Sequence, residues 1–270
     1  MKFTAVASAL LCANVALAAP GTAARRQRAA QRIAQRDGLS RSSGTLQPAE
    51  GEAALTSTNE TAHVEYSSNW AGAVLIGTGY TTVTGSIVVP TPKTPSGGSS
   101  STTYSGSAWV GIDGDTCSTA ILQTGVDFSV RGSSVSFDAW YEWYPDYAYD
   151  FSGISISAGD TVTFTVTASS KGAGKAVIEN ESTGQTVTHS FSGESDQLCE
   201  YNAEWIVEDY SSGGSLVSFA DFGTVTFTGA SVNGGTGVSG ATIIDLKQNN
   251  KVLTSCSTSG SSTVTCDYTG

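Results

Sequence analysis

From residue 65 onward the chain alternates between apolar and polar residues over many short stretches, and this alternation predicts β-strands. In residues 161–167 the alternation is strict, so that Val162, Phe164 and Val166 face one side. Further alternating stretches lie at 176–180, 185–191, 223–229 and 241–247. Clusters of Gly, Ser, Asp and Asn separate them, which is typical of an all-β sandwich or barrel. We therefore expect one all-β domain over residues 61–270.

Two of the predicted strands carry acidic residues among large apolar ones. In residues 204–208 the period of two places Glu204, Ile206 and Glu208 on one face and Trp205 and Val207 on the other. In residues 136–144 the same period places Asp138, Trp140, Glu142 and Tyr144 on one face of the strand. Tyr141 and Trp143 lie on the other face. Because a buried carboxylate is costly without a partner, such faces predict either a ligand cleft or acids that cap buried polar groups.

The first 60 residues differ from the rest. A basic Lys2, an apolar run to about Leu17 and the small residues Ala16 and Ala18 predict a secretory signal peptide over residues 1–19. The apolar run is too short to span a membrane. Residues 20–60 are rich in Ala, Arg and Gln and then in Ser, Gly, Thr and Glu, which predicts a basic pro-segment and a linker without fixed structure. We therefore expect a secreted protein that is processed between Arg41 and Glu65.

Charge is divided unevenly along the chain. Residues 1–60 hold seven basic and four acidic residues, whereas residues 61–270 hold six basic and 20 acidic residues. So acidic a domain argues against nucleic-acid and anionic-membrane partners. Many carboxyl groups are protonated in acid, which reduces the repulsion between them. The excess of acidic residues in the domain therefore fits an acidic working medium, although a need for solubility also explains it. A basic segment ahead of an acidic domain favours docking of the pro-segment over a cleft at neutral pH.

Cysteine usage agrees with an oxidising compartment. Cys12 lies in the predicted signal peptide, and the other four cysteines allow three pairings. Cys256 and Cys266 lie on either side of a short stretch rich in Ser, Thr and Gly, which indicates a terminal β-hairpin closed by a disulfide. Cys117 and Cys199 are then left to pair with each other. Closing a loop of that length contributes about 4–5 kcal/mol in the chain-entropy account.

The sequence lacks the residues that several classes of enzyme need for catalysis. His63 lies near the linker and His189 lies in an alternating strand, and these are the only histidines, so a His-based triad is not supported. The sequence holds no zinc-binding spacing, no phosphate-binding Gly-rich loop and no Asp-Thr-Gly or Asp-Ser-Gly, so we expect neither metal nor cofactor. Carboxylate chemistry remains. The candidate carboxylates are Asp113, Asp115, Asp127, Asp138, Glu142, Asp146, Glu204, Glu208 and Asp209.

Carboxylates among aromatic residues fit more than one function. A secreted glycosidase needs an acid and a carboxylate on either side of a sugar, and would use Glu142 with Glu204 or Glu208. A peptidase needs a base for water and a donor for the oxyanion. A carbohydrate-binding sandwich without catalysis needs only the aromatic residues.

Five segments, in order along the chain, closely resemble the fungal glutamic peptidases, the eqolisins. They are Ser68-Asn-Trp70-Ala-Gly, Ala108-Trp-Val-Gly-Ile-Asp-Gly-Asp-Thr-Cys117, Ile121-Leu-Gln123-Thr-Gly, Trp140-Tyr-Glu142-Trp-Tyr-Pro145 and Ala203-Glu-Trp-Ile-Val-Glu208-Asp. The match runs over essentially all of residues 65–270, and the preceding signal and basic segment also fit. The resemblance implies a concanavalin-like sandwich of two curved antiparallel sheets with a cleft on one face.

The resemblance also implies roles for individual residues. The catalytic dyad falls on Gln123, as oxyanion donor, and Glu208, as the base that activates water, whereas Glu204 is not the family's catalytic acid. The implied substrate-side residues are Trp70, Trp109, Asp113, Asp127 and Glu142. The two Trp residues would form apolar walls, and the two Asp residues would orient the dyad or tune its pKa. Some relatives have a cysteine-closed loop where this chain has Ser211-Ser-Gly-Gly-Ser.

The resemblance therefore implies a secreted acid endopeptidase that is made as a zymogen and acts on proteins or peptides. Its own pro-segment is the implied inhibitor, and we expect a monomer. The sequences Asn59-Glu-Thr and Asn180-Glu-Ser match the N-glycosylation acceptor pattern. Such short matches arise often by chance, and they predict only that the two asparagines lie at the surface.

Overall fold

The computed structural model describes residues 41–49 and 64–270, and the regular structure of these residues consists of β-strands. In chain order the strands are β1 (Arg41–Ser42), β2 (Val64–Ser67), β3 (Trp70–Ile76), β4 (Thr82–Val88), β5 (Thr103–Ile112), β6 (Ile121–Arg131), β7 (Ser134–Tyr144), β8 (Tyr149–Asp150), β9 (Thr161–Ser170), β10 (Ala173–Asn180), β11 (Gln185–Ser192), β12 (Asn202–Glu208), β13 (Ser211–Ser212), β14 (Ser215–Leu216), β15 (Thr224–Val232), β16 (Gly235–Thr236), β17 (Thr242–Gln248), β18 (Lys251–Val252), β19 (Thr254–Ser259) and β20 (Thr263–Tyr268). Within these two ranges no helix is long and apolar enough to cross a membrane. The predicted signal peptide and most of the predicted pro-segment lie outside the described residues.

The strands form two large sheets and one small sheet. The nine-stranded sheet has the order β18-β17-β3-β12-β5-β6-β7-β8, with β2 added in parallel beside β17. The eight-stranded sheet has the order β11-β10-β9-β4-β15-β20-β19, with β16 beside β15. The small sheet joins β1, β13 and β14. Apart from β2, the strands pair antiparallel, and the all-β class that the alternation predicted and the antiparallel sandwich that the resemblance implied are both confirmed.

The two large sheets pack against each other through their apolar faces and form the main core. Strand β9 contributes Val162, Phe164 and Val166, which are fully buried on one face as predicted. Strand β12 of the other sheet contributes Trp205, whose Nε1 donates a hydrogen bond across the core to the carbonyl oxygen of Thr84 at 2.8 Å. A buried Trp needs such a partner for its indole N–H. The alternation in β9 and β12 therefore determines which side chains enter the core.

The other face of the nine-stranded sheet, called the outer face here, carries a second buried apolar cluster. Its members are Trp70, Val74, Trp109, Ile121, Trp140, Ala148, Ile206 and Ile244. Most of these alternate along their strands with residues of the main core, as the period of two requires. Leu46 of residues 41–49 packs against the cluster. The outer face is thus lined by large aromatic and aliphatic side chains and partly covered by this short segment.

Both predicted disulfides are present. The bond Cys117–Cys199 joins the connection between β5 and β6 to the connection that leads into β12. The bond Cys256–Cys266 joins residues that lie directly opposite each other on β19 and β20, which form the predicted terminal hairpin. The first bond therefore ties together the two parts of the chain that carry Gln123 and Glu208.

Candidate active site

Four neighbouring strands bring the candidate residues onto the outer face. The pairing register places Glu208 of β12 opposite Ser107 of β5, and Ser107 opposite Asp127 of β6. Gln123 of β6 lies opposite Glu142 of β7. Because paired residues of antiparallel strands point to the same side, these side chains share one face of the sheet. The predicted face of β12 with Glu204 and Glu208 and the predicted face of β7 with Trp140 and Glu142 are therefore the same surface.

Glu208 is a fully buried carboxyl group. Its Oε2 accepts a hydrogen bond from the indole Nε1 of Trp109 at 2.9 Å, while its Oε1 has no hydrogen-bond partner among the described residues. Burial raises the pKa of Glu208 to about 8, and the positive charge of Arg41 offsets only part of this rise. In this covered state the carboxyl is therefore protonated at acid and neutral pH.

Gln123 presents its amide group to a peptide carbonyl. Its Nε2 donates a hydrogen bond to the carbonyl oxygen of Ser43 at 3.1 Å, inside the protein. Its Oε1, like Oε1 of Glu208, has no hydrogen-bond partner within residues 41–49 and 64–270. A buried amide N–H that points at a carbonyl oxygen from roughly 3 Å has the geometry of an oxyanion donor. Because the amide does not titrate, this geometry persists in acid.

Arg41 lies between the two acidic residues that neighbour these groups. Its guanidinium forms an ion pair with Asp127, with an Nη2–Oδ1 distance of 2.7 Å, and its Nη1 lies 3.8 Å from Oε2 of Glu142. Burial raises the pKa of Asp127 to about 6 and that of Glu142 well above its usual range, although Arg41 acts against both shifts. Asp127 consequently loses its charge as the pH falls below about 6, and Arg41 then loses its main counter-ion.

Aromatic rings surround these polar groups. Trp70 and Trp109 meet edge to face, with ring centroids 5.0 Å apart. The guanidinium carbon of Arg41 lies 3.9 Å from the ring centroid of Trp140 and 4.5 Å from that of Tyr210. Cations are attracted to aromatic faces at such distances, more strongly when water is excluded. The outer face therefore offers both a carboxylate and two rings to a basic side chain.

Residues 41–49 lie across the outer face and form hydrogen bonds like those of a bound peptide. Strand β1 pairs antiparallel with β13. The backbone N–H of Ser43 donates to Oε2 of Glu142 at 3.1 Å, and the carbonyl oxygen of Gly44 accepts a hydrogen bond from Nε1 of Trp70 at 3.0 Å. The composition led us to expect no fixed structure here. The difference arises because the segment, which is too polar to form its own core, packs on that of the sheet.

Glu204 shares the outer face with the dyad candidates, but its surroundings differ. It is fully buried, and neither carboxyl oxygen has a hydrogen-bond partner in the described part of the chain. It lies beside Gly111, where an added Cβ would meet the Trp109 ring at 2.7 Å and Oε2 of Glu204 at 3.1 Å. Burial, followed by the charges of Asp113 and Asp115, raises the pKa of Glu204 well above its usual range. Burial therefore favours the protonated form of Glu204, which packs beside the indole ring.

Asp113 acts on the backbone that leads into β12. Its two oxygens accept four backbone N–H groups at 2.7–3.2 Å, those of Cys199, Glu200, Tyr201 and Asn202. The sulfurs of the Cys117–Cys199 disulfide lie close by, and because they are bonded to each other they offer no thiolate to a metal ion. The resemblance implied that Asp113 orients the dyad or tunes its pKa. The structure shows that Asp113 holds the backbone at the start of β12, the strand that ends at Glu208.

Replacing Asp113 with asparagine is expected to lower the free energy of unfolding by about 2–4 kcal/mol, because an amide NH₂ would face two backbone donors and leave them unpaired. Urea unfolding of the variant and the wild type measures this difference. The exposed Asp196→Asn is a matched control that should change stability by less than about 0.5 kcal/mol. Equal unfolding midpoints for Asp113→Asn and the wild type would contradict this role of Asp113.

Three residues at the site were not predicted from the sequence. Arg41 lies at the end of the predicted basic pro-segment, and Tyr210 follows β12 without a pattern that marks it. Ser107 accepts hydrogen bonds from Nε1 of Trp140 and from Arg41, at 3.1 and 3.2 Å. Alternation along β5 could have placed Ser107 on the face of Trp109, two residues away. The charge division predicted that the basic pro-segment docks over a cleft, but no local signal marked Arg41 as the residue that contacts this surface, because that depends on the path of the chain.

Asn180 is not the surface residue that its sequence pattern predicted. It is fully buried, and its Nδ2 donates hydrogen bonds to the carbonyl oxygen of Ser155 and to Asp160, both at 2.8 Å. A glycan on this nitrogen would have no room beside these partners, so the fold argues against glycosylation of Asn180. Asn59, the other acceptor candidate, lies outside the described residues.

Both the sequence and the fold of this chain are similar to those of known proteins. Residues 68–268 match the Peptidase A4 family. Aspergillopepsin-2 of Aspergillus niger is 54% identical over 286 aligned positions, which cover 99% of this chain and 100% of that protein. Scytalidopepsin B of Scytalidium lignicola is 47% identical over 281 positions, with 99% and 100% coverage. A crystal structure of scytalido-glutamic peptidase with a peptide-based transition-state analogue is 46% identical, has a TM-score of 0.66 and covers 75% of this chain and 98% of its own.

Proposed function

This chain belongs to the Peptidase A4 family and is a glutamic-type endopeptidase, and from this premise we propose that Glu208 and Gln123 form its catalytic dyad. The observation that carries the proposal is the hydrogen bond from Nε2 of Gln123 to the carbonyl oxygen of Ser43. A buried amide that already binds a peptide carbonyl can bind that of a substrate in the same way. Glu208 lies on the same face and keeps one oxygen without a partner among the described residues.

In the proposed reaction, ionised Glu208 accepts a proton from a water molecule whose oxygen attacks the carbonyl carbon of the substrate. Negative charge then develops on the carbonyl oxygen, where the hydrogen bond from Gln123 stabilises it by about 3–4 kcal/mol. Glu208, now protonated, gives the proton to the leaving nitrogen as the C–N bond breaks. The steps proceed without a covalent bond between enzyme and substrate.

Water access controls the protonation state of Glu208. Burial is the largest cause that raises its pKa to about 8, so the covered site holds the neutral acid. When water and substrate replace the covering segment, the carboxyl is solvated and the penalty of burial falls, which lowers the pKa again. Glu208 therefore becomes a base only in a hydrated site.

We further propose that the chain is secreted as a zymogen in which residues 41–49 block the site. Protonation of Asp127 below about pH 6 removes the ion pair that holds Arg41. Burial in the covered site is the largest cause that raises this pKa, so the covered state holds the proton more tightly than a solvated carboxyl would, and acid does not by itself displace the segment. We therefore assign its release to cleavage of the segment, in an acidic medium that suits a domain with 20 acidic residues.

A glycosidase is the second candidate, and it is not favoured. It would need Glu142, together with Glu204 or Glu208, to flank a sugar. Glu142 instead accepts hydrogen bonds from Ser42 and Ser43 of the covering segment, at 3.2 and 3.1 Å. The relatives that match the whole chain are peptidases by name.

Digestion of a denatured protein and of a β-glucan in acid, side by side, tests the proposed function. The acid-treated enzyme is expected to cut the protein into peptides and to leave the β-glucan intact. The Gln123→Ala variant, with circular dichroism as the check of its fold, is expected to lose proteolysis. Release of sugars by the wild type would contradict the peptidase assignment, and full proteolysis by Gln123→Ala would contradict the dyad.

A further inference from the structure

We propose that the peptide bond between Ser43 and Gly44 is the first bond that this enzyme hydrolyses in its own chain, and that it does so within one molecule. The inference rests on the proposed dyad and adds a defined bond to it. Residues 41–49 are then the first substrate as well as the inhibitor of the site.

Contacts on both sides of this bond place it at the dyad. The carbonyl oxygen of Ser43 accepts the hydrogen bond from Nε2 of Gln123 at 3.1 Å. On one side the N–H of Ser43 donates to Glu142 at 3.1 Å, and on the other the carbonyl oxygen of Gly44 accepts from Trp70 at 3.0 Å. An oxyanion donor contacts the carbonyl of the bond that is cut. Ser43 therefore contributes the carbonyl, and Gly44 the leaving nitrogen.

Upstream of the bond, Arg41 fixes the register of the segment. Its guanidinium is buried between Asp127 and the rings of Trp140 and Tyr210. The pairing of β1 with β13 sets Arg41 opposite Ser212. A shift by one residue would turn the Arg41 side chain to the opposite side and leave Asp127 without this partner. The segment is therefore held at the register that presents Ser43 to Gln123.

Downstream of the bond, Asn69 holds the segment from its other end. Its Oδ1 accepts a hydrogen bond from the N–H of Gln47 at 2.9 Å, and its Nδ2 donates to the carbonyl oxygen of Thr45 at 3.1 Å. The N–H of Ala49 also donates to the carbonyl oxygen of Tyr66 at 3.0 Å. The chain is thus anchored on both sides of Ser43–Gly44, as a substrate is when it spans a peptidase site.

The proposed step consumes one water molecule and needs no other reactant. Water that enters beside the segment solvates Glu208, which lowers its pKa so that it ionises and accepts a proton from the attacking water. The water oxygen bonds to the carbonyl carbon of Ser43, the C–N bond breaks, and Glu208 passes that proton to the Gly44 nitrogen. The products are a carboxylate at Ser43 and an amine at Gly44. Arg41 leaves with the upstream fragment, which uncovers Asp127, whereas residues 44–49 remain joined to the domain through the chain. The described segment 41–49 and the dyad lie in the same compact unit of one chain, so no second molecule is required.

The experiment follows the purified full chain after transfer from neutral to acidic buffer, with intact mass and N-terminal sequencing at successive times. The earliest new N-terminus is expected to be Gly44, together with a fragment that ends at Ser43. The first-order rate constant is expected to stay unchanged on dilution, as a reaction within one molecule requires. A first cut at any other bond, or a rate that rises with protein concentration, would overturn the proposal.

Two substitutions at Gly44 provide a matched pair. Gly44→Pro is expected to lose this cut, because the ring replaces the N–H of the leaving nitrogen and restricts the residue before it. Gly44→Ala is expected to keep it, since an added Cβ would meet no atom within 4 Å. Cleavage of Gly44→Pro at this bond and at the wild-type rate would also overturn the proposal.

A denatured protein added to the same wild-type sample separates the two ways of failing. If the wild type digests the added protein but first cuts its own chain elsewhere, only the Ser43–Gly44 inference fails. If it digests neither the added protein nor itself, the proposed function fails.

Discussion

Replacing Glu208 with glutamine is expected to lower the rate of peptide hydrolysis in acid by about 10²–10⁴-fold, the usual contribution of a general base and acid. Glutamine has nearly the same shape and keeps an oxygen that can accept the Trp109 indole hydrogen bond. It cannot accept a proton from water or pass one to the leaving nitrogen. Measurement of kcat/KM on an unstructured peptide, after release of the covering segment, determines the effect.

The same strand supplies the control for this experiment. Glu204→Gln changes an acid that is equally buried and lies on the same face, and it is expected to leave kcat/KM within a few-fold of the wild type. Gln123→Ala, by contrast, is expected to reduce the rate by about 10²–10³-fold, as the loss of one oxyanion donor does. If Glu204→Gln instead lost as much activity as Glu208→Gln, the base would have to be reassigned.

The full chain is expected to lose stability as the pH rises from about 5 to about 9, because several buried carboxyl groups ionise over this range. Burial raises the pKa of Asp127 to about 6, of Asp209 to about 7 and of Glu208 to about 8. A carboxyl whose pKa is higher in the folded state stabilises the fold fully below its unfolded pKa. That contribution is lost as the pH rises through the folded value. At about 1.4 kcal/mol per pKa unit, the expected total loss is at least about 3 kcal/mol.

Urea unfolding at a series of pH values measures this loss, and Asp209→Asn isolates one contribution to it. Oδ2 of Asp209 accepts a hydrogen bond from Nε2 of Gln248 at 2.7 Å, and its Oδ1 has no partner among the residues described. Asparagine keeps an acceptor for this bond and cannot ionise, so the variant is expected to lose less stability near pH 7. A wild-type profile that is flat, or that rises towards alkaline pH, would contradict the expectation.

Local pattern was a reliable guide to the strands and their faces. The alternation of Val162, Phe164 and Val166 predicted the face of β9 that enters the main core, and the structure confirms it. In β12 the same period correctly separated Glu204 and Glu208 from Trp205, which packs between the sheets. Alternation is informative here because each large sheet buries one face against the other, so every second side chain must be apolar.

The period of two places Glu204 and Glu208 on the same face of β12, so it could not show which of them is the catalytic base. No local pattern marks Gln123 as an oxyanion donor either. The resemblance to the glutamic peptidases supplied the choice of Glu208. The surroundings of the acids differ in three dimensions, since Trp109 donates its indole N–H to Glu208 and packs its ring beside Glu204. That difference depends on which residues β5 sets against β12, and pairing between strands far apart in sequence is not readable from either strand alone.

The sequence by itself determined the all-β class, the faces of the strands, the Cys256–Cys266 hairpin and the acidic character of the domain, because these depend on local periodicity, spacing and composition. The pairing of Cys117 with Cys199 then followed by elimination. Only the tertiary structure brought residues 41–49 across the outer face, with Arg41 against Asp127 and Ser43 against Gln123. Residues some 80 positions apart meet there because the sheet offers buried carboxylates and rings that a polar segment can pair with. Such complementarity exists only once the strands are assembled, so no stretch of the sequence encodes it alone.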